Sequence, residues 1–113
     1  MKTEFDVIRY IEEYRETGNI NIRNDIILRY LDLVRVIAVS LRNIYSKYAS
    51  TDDIINEGVI ALIGAIDTFD IEKNVKFETY ASLRIRGAIL DQVRRMDWLP
   101  RTVRQKQKRM DAD

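Results

Sequence analysis

Residues that break helices are scarce in this chain. Its 113 residues include one proline and four glycines. Proline removes a backbone hydrogen-bond donor, and glycine costs about 1 kcal/mol in a helix interior, so long stretches without them favour long helices. We therefore expect mostly helical structure with few tight turns.

The spacing of the apolar residues predicts where those helices lie. Apolar side chains recur every three or four positions, and this period predicts helices at about residues 3–16, 22–46, 52–69 and 77–96. Ser50 offers a capping hydroxyl at the start of the third helix, and Asp52 and Asp53 favour the positive end of its dipole. The predicted fold is all-α, a compact bundle of about four helices.

Length and composition predict a single folded domain. A hydrophobic fraction of 46% and a charged fraction of 33% are typical of a chain that folds around a modest core. We assign residues 1–98 to this helical domain. Pro100 interrupts the chain after it, and residues 99–113 are interpreted as a linker and the start of a further domain that is cut short, a truncated basic helical extension.

The residue types that are missing exclude several classes of function. The chain has no cysteine and no histidine, which excludes disulfides, Cys/His zinc sites and histidine acid–base chemistry. We predict no catalytic residue, no metal and no cofactor, because no nucleophile–base pair or phosphate loop is present either. No apolar run approaches the roughly 20 residues of a membrane span, so the expected location is the cytoplasm, with no membrane partner.

The net charge of +1 hides an uneven distribution of charge. Residues 1–80 contain 10 basic and 14 acidic residues, whereas residues 81–113 contain 9 basic and 4 acidic residues. The first part is therefore acidic by four charges and the second part basic by five. This division predicts two surfaces that bind different partners.

The fourth predicted helix carries aromatic and basic residues opposite its core stripe. At about 100° per residue, the core side holds Ile85, Ile89, Val93 and Met96. The outward side holds Tyr80, Arg84, Gly87, Asp91, Arg94 and Arg95. A solvated face is the plain alternative, but an exposed glycine has a cost that a closely approaching partner would explain. Arginines hold phosphates and rings stack on unpaired bases, so the residues favour a partly opened nucleic acid.

Three residues of this region have two interpretations each. Asp91 can accept a hydrogen bond from a cytosine amine or hold a neighbouring arginine in place. Phe77 is equally suited to the core and to contact with a DNA strand. Trp98 follows the helix directly and fits a packing lid better than a stacking platform.

The third predicted helix also has two faces. Its core side holds Ile54, Ile55, Gly58, Val59, Leu62, Ile66 and Phe69. Its other side holds Asp53, Asn56, Glu57, Ile60, Ile63, Gly64 and Asp67. Two isoleucines rimmed by acids are either covered by the first helix or form a docking patch for another protein, with an apolar centre and a polar rim.

Two segments carry a family resemblance. They are DDIINEGVIALIGAIDTFD, which begins at Asp52, and VKFETYASLRIRGAILDQVRRMDWLPRTVR, which begins at Val75. Together they resemble region 2 of bacterial sigma factors, over roughly residues 24–104, and are most similar to the flagellar and sporulation-type, sigma-28-like group of the sigma-70 family. On this resemblance residues 1–98 correspond to regions 1.2 and 2, and residues 99–113 to a linker and the start of region 3.

The resemblance implies a function in transcription initiation. Sigma factors bind core RNA polymerase and direct it to promoters. Their region 2 docks on the β′ clamp helices, recognises the promoter −10 element and captures flipped bases of the non-template strand. The resemblance implies these partners for this chain, together with an anti-sigma factor.

The resemblance also implies a role for individual residues. The polymerase-binding residues are expected to be Asp53, Asn56, Glu57 and Ile63, with Ile60 from the same face. The segment that holds the melted strand matches Phe77, Thr79 and Tyr80, and the positions that read the upstream part of the −10 element match Arg84, Asp91, Arg94 and Arg101. The remaining predicted DNA-binding residues are Arg86 and Arg95, as backbone contacts or structural pairs, and Arg104.

The chain departs from the wider family at three positions. Leu83 and Arg84 stand where housekeeping sigma factors carry two adjacent tryptophans, a departure that the flagellar group shares. Asn56 replaces the more usual glutamine of the docking helix, which would weaken one contact without abolishing docking.

Two rival functions remain. A helical interaction module that mimics or sequesters sigma factors or polymerase would keep the docking face but lose the aromatic and basic one, and this chain has both. An enzyme of nucleic-acid chemistry fits poorly with the absence of histidine, cysteine and clustered carboxylates.

Overall fold

The computed structural model describes residues 6–97, and these form five helices. Helix α1 spans Val7–Thr17, α2 spans Ile20–Ser40, α3 spans Arg42–Tyr45, α4 spans Thr51–Thr68 and α5 spans Phe77–Asp97. No strand occurs within residues 6–97, and the all-α prediction is confirmed. The predicted basic extension, with Trp98, Arg101 and Arg104, lies outside the described residues.

Helices α1 and α2 are separated by a short capped turn. The Asp6 side chain accepts a hydrogen bond from the Arg9 amide at 3.3 Å and caps α1 at Val7. The predicted start at residue 3 lies outside the described residues. Gly18 ends the helix at φ 70°, a left-handed conformation that glycine adopts without steric cost. Asn19 then caps α2 through the Asn21 amide at 2.9 Å.

The predicted second helix, residues 22–46, is wrong as a continuous element. It is divided at Leu41 into α2 and the single turn α3. The Ser40 hydroxyl donates to the Ile37 carbonyl at 2.7 Å, a type of bond that bends helices. Beyond the bend, the fully buried Tyr45 turns back and donates its hydroxyl to the Ala38 carbonyl at 2.9 Å. The break therefore lets the tyrosine ring join the core.

Helix α4 is stabilised at both ends. The Ser50 hydroxyl oxygen accepts from the Asp53 amide at 3.1 Å, as its sequence predicts. The last turn has no basic residue of its own. Arg15 of α1 supplies the missing charge, because its guanidinium donates to the carbonyls of Ile66 at 3.0 Å and Phe69 at 2.6 Å.

The core lies where α2, α4 and α5 pack against one another. Its largest fully buried side chains are Tyr45, Phe77, Ile11, Ile26, Ile54, Leu62, Ile66, Ile85, Ile89 and Val34. Gly58 permits the close approach of α2 and α4, since a β-carbon there would lie 2.6 Å from Cγ1 of Val34. The outward sides of α4 and α5 are thereby held next to each other along one seam.

Candidate DNA-binding and protein-docking surfaces

Helix α5 carries an aromatic–basic face, which we define as Tyr80, Arg84, Gly87, Asp91, Arg94 and Arg95. All of these residues are exposed except Tyr80, which is half-buried. The opposite side of α5 is buried at Ala81, Ile85, Ile89 and Val93. One helix therefore separates a core stripe from a face that is available to a partner.

Gly87 lies at the centre of the aromatic–basic face. A β-carbon built on Gly87 would meet no atom within 4 Å. Packing among residues 6–97 therefore gives no reason for glycine in an exposed helix interior, where it costs about 1 kcal/mol. Thr79 and Arg86 are exposed on the same helix, and Arg86 forms no hydrogen bond or ion pair within the described residues.

Phe77 does not belong to this face, and its assignment as a DNA contact is corrected. Its side chain is 1% exposed. The ring lies between those of Tyr30 and Phe69, with centroid distances of 5.4 and 5.3 Å. Of the two interpretations of Phe77, the structure therefore supports the core, because no surface of the ring is left for a base.

Tyr80 is held against the end of α4. Its ring lies 5.4 Å from the ring of Phe69, and its hydroxyl lies 2.7 Å from the Thr68 hydroxyl. Arg84 donates to the Tyr80 oxygen at 3.4 Å, and its guanidinium carbon lies 5.8 Å from the ring centroid. Phe69 in turn packs edge-on against the buried Phe77, so the core supports the half-exposed ring.

Two further arginines of the face are paired along α5. Arg94 forms an ion pair with Asp91 at 3.0 Å, and Arg95 donates to the Gln92 side chain at 2.5 Å. Asp91 thus holds a neighbouring arginine, as one of its two interpretations requires. Pairs this exposed contribute little stability, so they are easily exchanged for contacts with a ligand.

Helix α4 carries a docking face, which we define as Asp53, Asn56, Glu57, Ile60 and Ile63. Asp53, Asn56 and Ile60 are exposed, whereas Glu57 and Ile63 are half-buried. Ile60 is 63% exposed, so α1 does not cover it as the alternative interpretation required. Gly64 was predicted on the same side of the helix as this face, but it lies next to α5. A β-carbon there would lie 3.2 Å from Nη2 of Arg84.

A cleft of about 320 Å³ joins the docking face to the end of α5. Its lining residues are Tyr48, Ala49, Asp53, Ile54, Asn56, Glu57, Ile60, Gln92 and Met96. Four of the five docking-face residues therefore line it, together with residues from α5 and from the chain before α4. Its two carboxylates and its apolar floor suit a partner that presents a basic side chain beside an apolar one.

Sequence reasoning missed several residues of these surfaces. Tyr48, Gln92 and Met96 line the cleft, and Thr68 contacts Tyr80. Gln92 is half-buried beside the exposed Asp91, and its adjacency to that predicted residue was the signal that could have identified it. Thr68 carried no local signal, because its partner lies twelve positions further along the chain.

Within residues 6–97, no cluster of acidic residues could hold a metal ion, and no helix combines the length and the apolar character of a membrane span. Burial, aided by a 2.6 Å hydrogen bond to the Glu78 carboxylate, raises the pKa of Tyr30 above its usual value. That tyrosine is 8% exposed and lies in the core, where its hydroxyl ties α2 to the first turn of α5.

Comparisons with known proteins identify relatives of the chain. The family model described as Sigma-70 region 2 matches residues 26–99. The RNA polymerase sigma-D factor of Bacillus subtilis (strain 168) is 42% identical over 89 residues, which are 79% of this chain and 35% of that protein. The RNA polymerase sigma factor FliA of Pseudomonas aeruginosa is 39% identical over 93 residues, 82% of this chain and 38% of the relative. The chain thus spans little more than a third of these relatives.

A solved structure has a similar fold. It is described as a cocrystal structure of the flagellar sigma/anti-sigma complex, Sigma-28/FlgM. The two structures superpose with a TM-score of 0.62 at 38% sequence identity, over 84% of this chain and 42% of the other.

Proposed function

Since the chain belongs to the sigma-70 family through its region 2, we propose that it is the domain of a flagellar-type sigma factor that binds core RNA polymerase and recognises and melts the promoter −10 element. The observation that carries this proposal is the pair of exposed surfaces along the α4–α5 seam. One is acidic with an apolar centre, and the other is aromatic and basic. A module that only sequesters polymerase or sigma factors needs the first surface alone.

In the proposed mechanism, the docking face anchors the domain to the β′ clamp helices. Ile60 supplies apolar area at the centre of the contact, while Asp53 and Glu57 face basic side chains of the polymerase. Asn56 and Ile63 complete the surface. The cleft extends this contact to Gln92 on α5, which brings the polymerase next to the helix that meets the promoter.

The aromatic–basic face then meets the promoter. Arg86 and Arg95 bind backbone phosphates, and Thr79 contacts the strand beside Tyr80. Arg84, Asp91 and Arg94 read base edges of the upstream part of the −10 element. The exposed ion pair between Asp91 and Arg94 is exchanged for these contacts when DNA arrives. The roles of Arg101 and Arg104, outside the described residues, remain predictions of DNA contact.

Capture of an unpaired base on Tyr80 completes melting. Stacking of a base on an aromatic ring contributes about 1–3 kcal/mol, which offsets the few kcal/mol needed to unstack the base. The Arg84 guanidinium lies over the ring in the free domain, and such an exposed contact is worth only about 0.5–1 kcal/mol. This weak contact leaves the ring available to an arriving base, while Arg84 stays beside the Tyr80 hydroxyl and contacts a base edge from there.

Further partners and properties follow from the same proposal. The Sigma-28 relative forms a complex with an anti-sigma factor, and we expect an anti-sigma factor to bind this protein as well. The domain breaks no bond in DNA and is not an enzyme, and it acts in the cytoplasm, where polymerase is. Residues 1–98 correspond to regions 1.2 and 2, and residues 99–113 to the linker and the start of region 3.

Two substitutions in the full-length protein test the proposal. Tyr80→Ala should weaken binding of the polymerase complex to a single-stranded −10 oligonucleotide about tenfold, through lost stacking, while polymerase affinity stays at the parent value. Asp53→Lys should weaken co-purification with core polymerase, because it reverses a charge at the rim of the cleft. Strand capture by Tyr80→Ala equal to that of the parent, or undiminished polymerase binding by Asp53→Lys, would contradict the assigned surface.

The sequestering alternative gives a different result. A module of that kind binds polymerase or a sigma factor, but its complex shows no salt-sensitive affinity for the −10 oligonucleotide. Promoter footprinting of the full-length protein with core polymerase distinguishes the two functions directly.

A further inference from the structure

A chain of hydrogen bonds joins the aromatic–basic face to the last turns of α4. The Thr68 hydroxyl donates to the Gly64 carbonyl at 2.8 Å. A hydroxyl has one proton to donate, so the Tyr80 hydroxyl must be the donor in its 2.7 Å contact with Thr68. The Tyr80 oxygen then accepts from Arg84 at 3.4 Å. The chain therefore runs in one direction, from Arg84 through Tyr80 and Thr68 to Gly64.

This chain determines where the Tyr80 ring lies. The Phe69 ring packs against the Tyr80 ring at a centroid distance of 5.4 Å. The Thr68 hydroxyl binds the Tyr80 hydroxyl, which is the tip of that side chain. A ring held at its tip and along its body cannot pivot freely about its Cα–Cβ bond. Because base stacking depends on the orientation of the ring, the Thr68 hydroxyl acts on an unpaired base through Tyr80.

Gly64 leaves space beside α4 for the guanidinium of Arg84. A β-carbon at this position would come within 3.2 Å of Nη2 of Arg84, closer than an ordinary van der Waals contact. The glycine therefore leaves room for the guanidinium to cross α4 beside the Tyr80 hydroxyl. An alanine at position 64 would require Nη2 of Arg84 to move by a few tenths of an ångström, which would alter its placement beside the Tyr80 hydroxyl.

We propose that Thr68 and Gly64 are positioning residues for promoter recognition, with Thr68 orienting Tyr80 and Gly64 seating Arg84. The inference rests on the proposed function and extends it, because neither residue belongs to the DNA-contacting set. Helix α4 thus serves the polymerase with its docking face, which ends at Ile63, and the promoter-reading residues with Gly64 and Thr68 in its last turns.

The test uses the full-length protein assembled with core polymerase and a series of single-stranded −10 oligonucleotides with each base replaced in turn. Thr68→Val, which removes the hydroxyl but keeps the shape, should lower affinity for the best oligonucleotide about fivefold, the effect of one hydrogen bond. Thr68→Val should also reduce the ratio of the affinity for the preferred base to the affinity for the other bases. Tyr80→Phe should give the same loss, and the double variant should be no worse than either single variant.

Two variants separate positioning from a general effect on helix ends. Thr68→Ser restores the hydroxyl and should restore the base preference. Thr17→Val is the matched control, because Thr17 donates to the Glu13 carbonyl at 2.8 Å in the same intrahelical geometry but lies on α1. Its base preference should equal that of the parent.

The Gly64 part of the proposal has its own readout. Gly64→Ala should reduce discrimination at the base pair that Arg84 reads. Binding to duplex −10 fragments with each base pair replaced in turn measures this discrimination, and Arg84→Ala identifies the base pair, because that variant loses the preference there. Unchanged discrimination in Thr68→Val, or losses that multiply in the double variant, would overturn the Thr68 assignment. Unchanged discrimination in Gly64→Ala would overturn the Gly64 assignment. If the parent complex itself shows no preference for the −10 sequence, the proposed function fails, and this inference fails with it.

Discussion

At the scale of single residues, a substitution at Gly87 should have opposite effects on the stability of the free domain and on its proposed binding to DNA. A β-carbon there meets no atom of the described residues, so Gly87→Ala should raise the free energy of unfolding by up to about 1 kcal/mol. The same methyl group should weaken binding to −10 DNA, because it separates the backbone from its partner. Urea denaturation and oligonucleotide binding measure the two effects.

Gly58→Ala is the matched control for that substitution. Its β-carbon would lie 2.6 Å from Val34 in the core, so this variant should lose about 1–3 kcal/mol of stability instead. Stronger DNA binding by Gly87→Ala would contradict close approach of the nucleic acid at that position.

Tyr30 predicts how stability depends on alkaline pH. Burial and the hydrogen bond to Glu78 raise the pKa of its hydroxyl above the usual value of about 10. Its contribution is therefore fully present below about pH 10 and is lost as the pH rises further, because the unfolded chain releases this proton first. Urea denaturation from pH 8 to 11 should show the free energy of unfolding falling more steeply with pH for the parent than for Tyr30→Phe. The difference between the two slopes should correspond to the release of about one proton on unfolding. Parallel curves would contradict the shift.

At the scale of the helices, α4 depends on a residue of another helix to complete its C-terminal end. Arg15→Met keeps the apolar stem of the side chain but removes the hydrogen bonds to the carbonyls of Ile66, Asp67 and Phe69. We expect a loss of about 1–2 kcal/mol in the free energy of unfolding and faster hydrogen exchange in the last turn of α4.

Arg9→Met on the same helix is the control for Arg15→Met. The Arg9 side chain is exposed and makes no hydrogen bond within residues 6–97, so its replacement should leave both measurements unchanged. Equal effects of the two substitutions would indicate that Arg15 acts only through the net charge of α1.

The helices themselves were largely predictable from the sequence, and the exceptions have physical reasons. The period of α5 identified both its core stripe and its outward face, because burial along one helix follows from local spacing. The break at Leu41 was not predictable in this way, since Leu41 and Tyr45 keep the helical period on both sides of it. Phe77 was equally plausible in the core and at the surface until the positions of Phe69 and Tyr30 were known. Contacts with distant segments decided the place of Phe77, whereas local side-chain bonds of Ser40 and Tyr45 accompany the break at Leu41.

At the scale of the whole molecule, the uneven charge predicts how DNA binding depends on salt. Within α5, exposed positive charge comes from Arg84, Arg86, Arg94 and Arg95. Each phosphate contact to a single strand contributes about −0.7 to the slope of log affinity against log salt concentration. Arg86→Ala in the polymerase complex should therefore make the slope shallower by about 0.7 without changing base preference.

A distant arginine provides the control for the salt dependence. Arg35 on α2 is exposed and paired with Asp32 at 3.4 Å, and it belongs to neither of the two faces. Arg35→Ala should leave the slope at the parent value. If both variants change the slope equally, binding depends on net charge rather than on the aromatic–basic face.

The continuity of α4 fixes the distance between the docking face and the contact with Tyr80. Asp53 near its start and Thr68 at its end are fifteen residues apart, about 22 Å at a rise of 1.5 Å per residue. On the proposed function, this rigid length sets how far the captured base lies from the anchor on the enzyme. Lengthening the helix by one residue would turn one end relative to the other by about 100°. The number of residues in this one helix would therefore determine where the transcription bubble lies relative to the polymerase.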